Sequence, residues 1–123
     1  MVGQMAKNLG SNHQPPERPT FAAPRWIELC FQAAGLWQLR SRGDMGLPQH
    51  VDWVRIWTAP EKVEADIYAV VTPRTDGSFD AEVVGASGKR YVQISGYRTV
   101  AFPMDSEAVK KLQASLSAEA VAA

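Results

Sequence analysis

The chain has 123 residues, 46% of them hydrophobic and 9% aromatic, which is enough for one domain with a packed core. Its thirteen basic and thirteen acidic residues cancel, and no Lys/Arg stripe appears, so the electrostatic footprint of a nucleic-acid binder is missing. The single Cys30 excludes an internal disulfide and any multi-cysteine metal site, and its apolar surroundings suit a buried small hydrophobe better than a reactive thiolate. Met1 to Asn12 lacks the continuous apolar run of a signal peptide, and no segment is long and apolar enough to span a bilayer. No membrane partner is expected, and the cytoplasm is the default location. No metal site or cofactor is expected either, because neither a His/Cys/carboxylate spacing nor a glycine-rich phosphate loop is present.

In chain order, residues 1–20 are largely polar, carry Pro15, Pro16 and Pro19, show no period, and read as a flexible arm. Pro24 suits a first helical turn, where its missing amide hydrogen costs nothing. The helix it opens is expected to run to about Leu39, with Arg40 and Arg42 at its negative end and Gly43 as the stop. From Arg25 to Trp37 apolar side chains cover nearly every face, interrupted only by Glu28 and Gln32, which stand four apart and so stack on one side. Such a helix is expected to be wrapped by protein. A carboxyl enclosed there is costly to ionise, so the pKa of Glu28 is expected to rise toward values useful in proton transfer.

Four segments then alternate with period two, at about 50–57, 63–73, 79–84 and 89–102, as half-buried strands do. Thr75-Asp76-Gly77-Ser78 and Gly85-Ala86-Ser87-Gly88 are turns able to join consecutive strands as hairpins. The fold class is α+β, an antiparallel sheet curved around one apolar helix. Asp105 or Ser106 can cap a final helix with Val109, Leu112 and Leu116 as its stripe. The organisation is an arm over 1–20, a core domain over 21–104, and a helix with a frayed tail over 105–123.

The order Glu28-Leu29-Cys30-Phe31-Gln32-Ala33-Ala34-Gly35 resembles the central-helix signature of hotdog-fold hydroxyacyl-thioester dehydratases, in which an acidic residue, three residues and then Gln precede a small-residue run. Met45-Gly46-Leu47-Pro48-Gln49-His50-Val51-Asp52 and Ser95-Gly96-Tyr97-Arg98-Thr99-Val100-Ala101-Phe102-Pro103 are similar to the second, C-terminal hotdog half of polyketide synthase dehydratase domains. Together these segments span about residues 24–103. The resemblance implies a hotdog, incomplete or half of a double hotdog: such a fold normally has further strand and helix sequence before its central helix, whereas only the polar arm precedes Pro24, so the sheet is expected to keep an uncovered edge and to seek a partner. It also implies a 3-hydroxyacyl substrate carried on the phosphopantetheine of an acyl carrier protein, and a helix carboxylate working with a His from a His-x-x-x-Gly-x-x-x-x-Pro motif on the partner half. That motif does not occur in this chain.

Dehydration needs a base to take the proton beside the thioester carbonyl and an acid to protonate the departing hydroxyl. Glu28 is the candidate acid, and Gln32, one turn later, is the candidate orienting residue. The structural alternative makes Glu28 a dipole-compensating residue and Gln32 a satisfied polar group. For the base the chain offers only His13 and His50. His13 opens His13-Gln14-Pro15-Pro16-Glu17-Arg18-Pro19, a layout loosely similar to the His-to-Glu run of single-hotdog acyl-carrier-protein dehydratases, but without the glycines of that run. His50 reads as a structural residue. The base therefore comes from His13 or from a His-bearing partner half, which can be a second hotdog half or a homodimer mate. Gly35 costs helix stability relative to Ala and marks either close packing or room for an acyl-pantetheine chain, packing being the simpler reading. Tyr97 and Arg98 fit the family's Gly-Tyr-Arg-Thr run without a physical reason to make either catalytic. Two other functions fit the same residues: a non-catalytic hotdog assembly subunit, and a thioesterase whose helix carboxylate activates water.

Overall fold

The structure is a computed structural model that describes residues 1–7, 9, 23–58, 63–102 and 107–122. Its elements are β1 (Val2–Gln4), α1 (Pro24–Arg42), β2 (Met45–His50), β3 (Trp53–Ile56), β4 (Ile67–Pro73), β5 (Phe79–Gly85), β6 (Arg90–Phe102) and α2 (Glu107–Ala122). All strand pairings are antiparallel. The sheet order is β1-β4-β5-β6-β2, with β3 also on β6. The α+β class and the β4-β5-β6 meander expected from the turns are what the chain forms. At the first hairpin, Arg74 N–H donates to the Ser78 carbonyl, and the Asp76 carboxylate accepts from the Ser78 N–H and hydroxyl at 2.9 and 2.6 Å.

Helix α1 starts and stops where its sequence says it should. Pro24 occupies the first turn, and Gly43 closes the last one in the left-handed conformation (φ 77°), its N–H donating to the Leu39 carbonyl at 3.0 Å. One face is buried, through Trp26, Cys30, Ala33, Ala34, Gln38 and Leu39. Three of these are small, so the helix backbone can lie close to the sheet. It packs on Ile67, Ala69 and Val71 of β4, Phe79, Ala81 and Val83 of β5, and Tyr91, Ile94 and Tyr97 of β6. Each large apolar side chain buried there is worth roughly 1.5–3 kcal/mol. The rings interlock: Trp26 meets Tyr91 edge-on at 5.2 Å, and Trp37 meets Phe79 edge-on at 5.5 Å.

The expectation that protein wraps this helix on every side needs correction. The sheet covers its inner side, while Pro24, Glu28, Gln32, Leu36 and Arg40, spaced by four, are exposed on the other. Apolar residues all round a helix do not reveal whether its own chain or another supplies the cover.

The arm also differs from expectation. Residues 2–4 form β1, pairing Val2 with Val70, Gly3 with Ala69 and Gln4 with Tyr68, so the β4 edge is covered. Three residues are too few to show a period, which is why the strand was not legible. The other side of the sheet is built on β6, thirteen residues long. The strand expected at 50–57 is β3, and the Gly46-Leu47-Pro48 segment ahead of it, expected as a connection, is itself a strand, β2; both lie along β6. Trp53 to Ile56 pair with Ser95 to Val92, and Met45 to His50 pair with Phe102 to Arg98, with a register shift between Pro48 and His50. Pro48 has no N–H to give the ladder, which favours an irregular edge at that point. Between the two pairings β6 bends at Gly96 (φ 65°). The Asp80 carboxylate accepts there from the Gly96 N–H and the Ser95 hydroxyl, both at 3.2 Å. Asp105 and Ser106, the candidate caps of the last helix, lie outside the described residues, and Leu112 on that helix is exposed.

Two contacts fix the ends of this sheet. Gln38, buried, donates to Asp44 Oδ1 at 2.8 Å and accepts from the Thr99 hydroxyl at 2.7 Å, tying α1 to β6 under Gly46. A side chain on Gly46 would collide with Gln38 Oε1 and Thr99 Oγ1. At the opposite end Glu64 accepts from the Ser87 N–H (3.0 Å), the Ser87 hydroxyl (2.8 Å) and the Tyr91 hydroxyl (3.0 Å). The Ser87 bonds hold the Glu64 carboxyl below its ordinary range.

Gly46→Ala is expected to cost about 1–3 kcal/mol by overpacking, read as a lower denaturant midpoint with an unchanged slope; an unchanged midpoint would show that the Gln38–Thr99 contact yields freely. Because the Glu64 carboxyl is lowered on folding, its stabilisation is present above the unfolded pKa and is lost as pH falls through the folded one. Thermal melts of Glu64→Gln are therefore expected to lose stability at neutral pH and to show a shallower acid limb below about pH 5 than the wild type. Parallel acid limbs would remove Glu64 from that role.

Candidate active site

The outward face of α1 carries the two polar candidates, Glu28 and Gln32. Glu28 and Gln32 are joined there, Gln32 Nε2 donating to Glu28 Oε1 at 3.2 Å, as their spacing of one turn allows. They stand at a groove of about 350 Å³ between α1 and β2. Phe31, Gly35 and Leu36 continue its helix wall, Met45, Gly46 and Pro48 form its strand wall, and Tyr97 of β6 closes it. On the other side of the same pair, Glu28 and Gln32 also border a hollow of about 210 Å³ with Arg25, Leu29, Gln4 and Met5. The groove combines a mostly apolar lining with a few convergent polar groups, the usual make-up of a small-molecule site.

Tyr97 is the residue that sequence reasoning passed over. It is buried, stacks on Phe31 with centroids 4.3 Å apart and planes at 18°, and shares the groove with Glu28 and Gln32. Burial pushes its phenol up to about 12, and the neighbouring Glu28 charge adds to the rise. It is therefore a neutral hydrogen-bond donor at any physiological pH. The usable signal was its position one residue after Gly96, since the bend at that glycine breaks the alternation of β6.

The remaining candidates fall elsewhere. Enclosure of Glu28 by its own chain was expected and is corrected: the residue is exposed, on the side of α1 away from the sheet. His13 lies outside the described residues. His50 ends β2 in an exposed hydrogen-bonded contact, its Nε2 2.9 Å from Asp52 Oδ1, and does not line the groove. Cys30 sits on the inner face of α1, and burial pushes its thiol up to about 12, which fits an inert residue. Gly35 does not pack against the rest of the fold: apart from its chain neighbours and the helix backbone, no described atom lies within 4 Å of where its Cβ would be. Among the described residues no group of three His, Cys, Asp or Glu could hold a metal ion, and no helix is long and apolar enough to cross a membrane.

Comparison with protein-family models matches residues 1–108 to the polyketide synthase dehydratase N-terminal domain. That description names the first half of such a domain, where the residue resemblance pointed to the second. Neither the curated proteins nor the solved structures gave a match. With most of its length inside the match, and an antiparallel sheet curled on a helix that bears Glu28 and Gln32, the chain belongs to the polyketide synthase dehydratase family and is a hotdog-type domain.

Proposed function

We propose that this chain is one half of a dehydratase active site acting on 3-hydroxyacyl thioesters carried by an acyl carrier protein. Glu28 is the acid, Gln32 the orienting residue and Tyr97 a neutral donor beside them. The observation that carries this reading is the Glu28–Gln32 pair, hydrogen-bonded at 3.2 Å, at the head of an apolar groove. In the reaction a base removes the proton on the carbon next to the thioester carbonyl. The electron pair forms the new double bond, the bond to the hydroxyl breaks, and Glu28 supplies the proton with which that oxygen leaves as water. Holding the carboxyl by Gln32 fixes which of its oxygens faces the leaving group.

The base comes from a partner half that bears the His motif, with His13 as the candidate within this chain. Two features support a partner. The Glu28 side of α1 is open, and the β2–β3 edge beside it exposes Leu47, Trp53, Val54 and Trp57 at 41–48%. An edge strand rich in exposed apolar side chains is a pairing surface. A half placed against it would shut Glu28 away from water and strengthen every electrostatic contact in the groove. The carboxylate on the helix is the contribution of the second half in the dehydratases that the sequence resembles, so we retain that assignment as a proposal although the family match is described as N-terminal.

A second reading makes the chain a non-catalytic assembly subunit, and the exposure of Glu28 with no described histidine in the groove favours it. Hydration of a crotonyl thioester, assayed with the chain alone and after adding a His-bearing hotdog half, separates the two. Activity is expected only in the mixture, with Glu28→Gln lowering it by roughly 10²–10⁴-fold and Tyr97→Phe lowering kcat more than it raises KM. No turnover in either sample, with stable association of the two halves, would establish the assembly subunit instead. Release of free thiol would point to a thioesterase.

A further inference from the structure

Gly35 has no structural reason to be a glycine. It lies inside α1, with Ala33 and Ala34 before it and Leu36 after it, and its φ is not among the positive ones. Glycine in a helix interior is less stable than alanine at the same place. Apart from its chain neighbours and the helix backbone, a Cβ at this position would meet no described atom within 4 Å, so packing against the rest of the fold does not demand its absence. What the missing side chain leaves is space, and that space is the groove. Gly35 follows Gln32 by three residues and Glu28 by seven, on the same side of the helix, and lines the groove with both. Leu36 beside it and Phe31 before it are bulky, so Gly35 is the low point of the helix wall. A chain that enters with its reacting carbons at Glu28 and Gln32 and runs along the groove toward Met45 and Pro48 passes over it.

We propose that Gly35 is a specificity-determining residue: it keeps the groove open past the Glu28–Gln32 pair, so that the site takes acyl groups that extend several carbons beyond the hydroxyl-bearing one. The inference rests on the dehydratase reading and adds the class of substrate to it. The side chains that flank this stretch, Leu36, Met45 and Pro48, are apolar, so the extension this wall favours is a hydrocarbon.

The test uses the full chain and two probes, the hydroxybutyryl and hydroxydecanoyl amides of pantetheine, which keep the acyl and carrier parts but cannot be cleaved as thioesters. Gly35→Ala is compared with the wild type for binding of each probe by titration calorimetry, for thermal midpoint, and for association state by sedimentation. The variant is expected to melt higher by roughly 3–6 °C, because alanine is the better helix former. It is expected to bind the short probe as the wild type does and the long one about tenfold more weakly, and Gly35→Leu is expected to abolish long-probe binding. Equal affinity of wild type and both variants for the long probe overturns the inference and leaves the dehydratase reading standing. A lower melting point in Gly35→Ala, or a change in association state with binding unaltered, also overturns it, since the glycine would then serve packing or contact between helices. A wild-type chain that binds neither probe, alone or with a His-bearing half, overturns the inference together with the reading beneath it.

Discussion

The one-sided burial of α1 is the constraint on which the rest of this molecule depends. Trp26, Cys30, Ala33, Ala34 and Leu39 face the sheet, and their mix of one large ring with several small side chains lets the helix sit close against β4, β5 and β6. Once that face is fixed, helix geometry sets the other: residues 28, 32, 35 and 36 must point away from the sheet. The groove follows from this arrangement, because Gly43 ends α1 and turns the chain straight into β2, which then forms the facing wall. A polar pair, a stacked tyrosine and an apolar channel are thus brought together by one packing decision.

Strand β6 is the second organising element. It runs unbroken for thirteen residues, yet it bends at Gly96 and, on the edge away from β5, serves β3 before the bend and β2 after it. Asp80 clamps the bend from β5, and an Arg74 ion pair at 3.3 Å holds the same carboxylate. Tyr97 is the first residue past this bend. A strand that kept strict alternation would aim position 97 differently, so the bulge is what delivers a phenol to the groove. The β2–β3 edge left by this arrangement is long, apolar and open. An isolated domain with such an edge is prone to pairing.

Much of the fold could be read from the residues. Pro24, Gly43 and the two glycine-containing turns mark real boundaries; of the alternating residues Val63, Ala65, Ile67, Ala69 and Val71 expected on the core face of a strand at 63–73, the last three are buried in β4, while Val63 and Ala65 precede it and are exposed. What escaped has a physical cause in each case. Strand β1 is too short to show a period. The break between β2 and β3 depends on a proline and a register shift rather than on hydrophobic pattern. The exposure of Glu28 escaped because its apolar neighbours Ile27, Leu29 and Phe31, which pack partly against the core, and the exposed Leu36 make the whole circumference of α1 look like a core face. Of the site, Glu28 and Gln32 were legible through their spacing, whereas Tyr97 needed the bend in β6 and the openness at Gly35 needed the groove.

The central claim is that the open Glu28 face of α1 is completed by a second hotdog half. Carbodiimide labelling of carboxylates, read residue by residue in the mass spectrometer, tests it most directly. In the chain alone Glu28 should label readily. On addition of a His-bearing hotdog half its labelling should fall sharply, while Asp76, at the β4–β5 turn and away from the groove, should be unaffected. Labelling of Glu28 that persists undiminished in a mixture where the two halves are bound would contradict the claim, and the groove would have to be understood as the site of a chain that acts without cover.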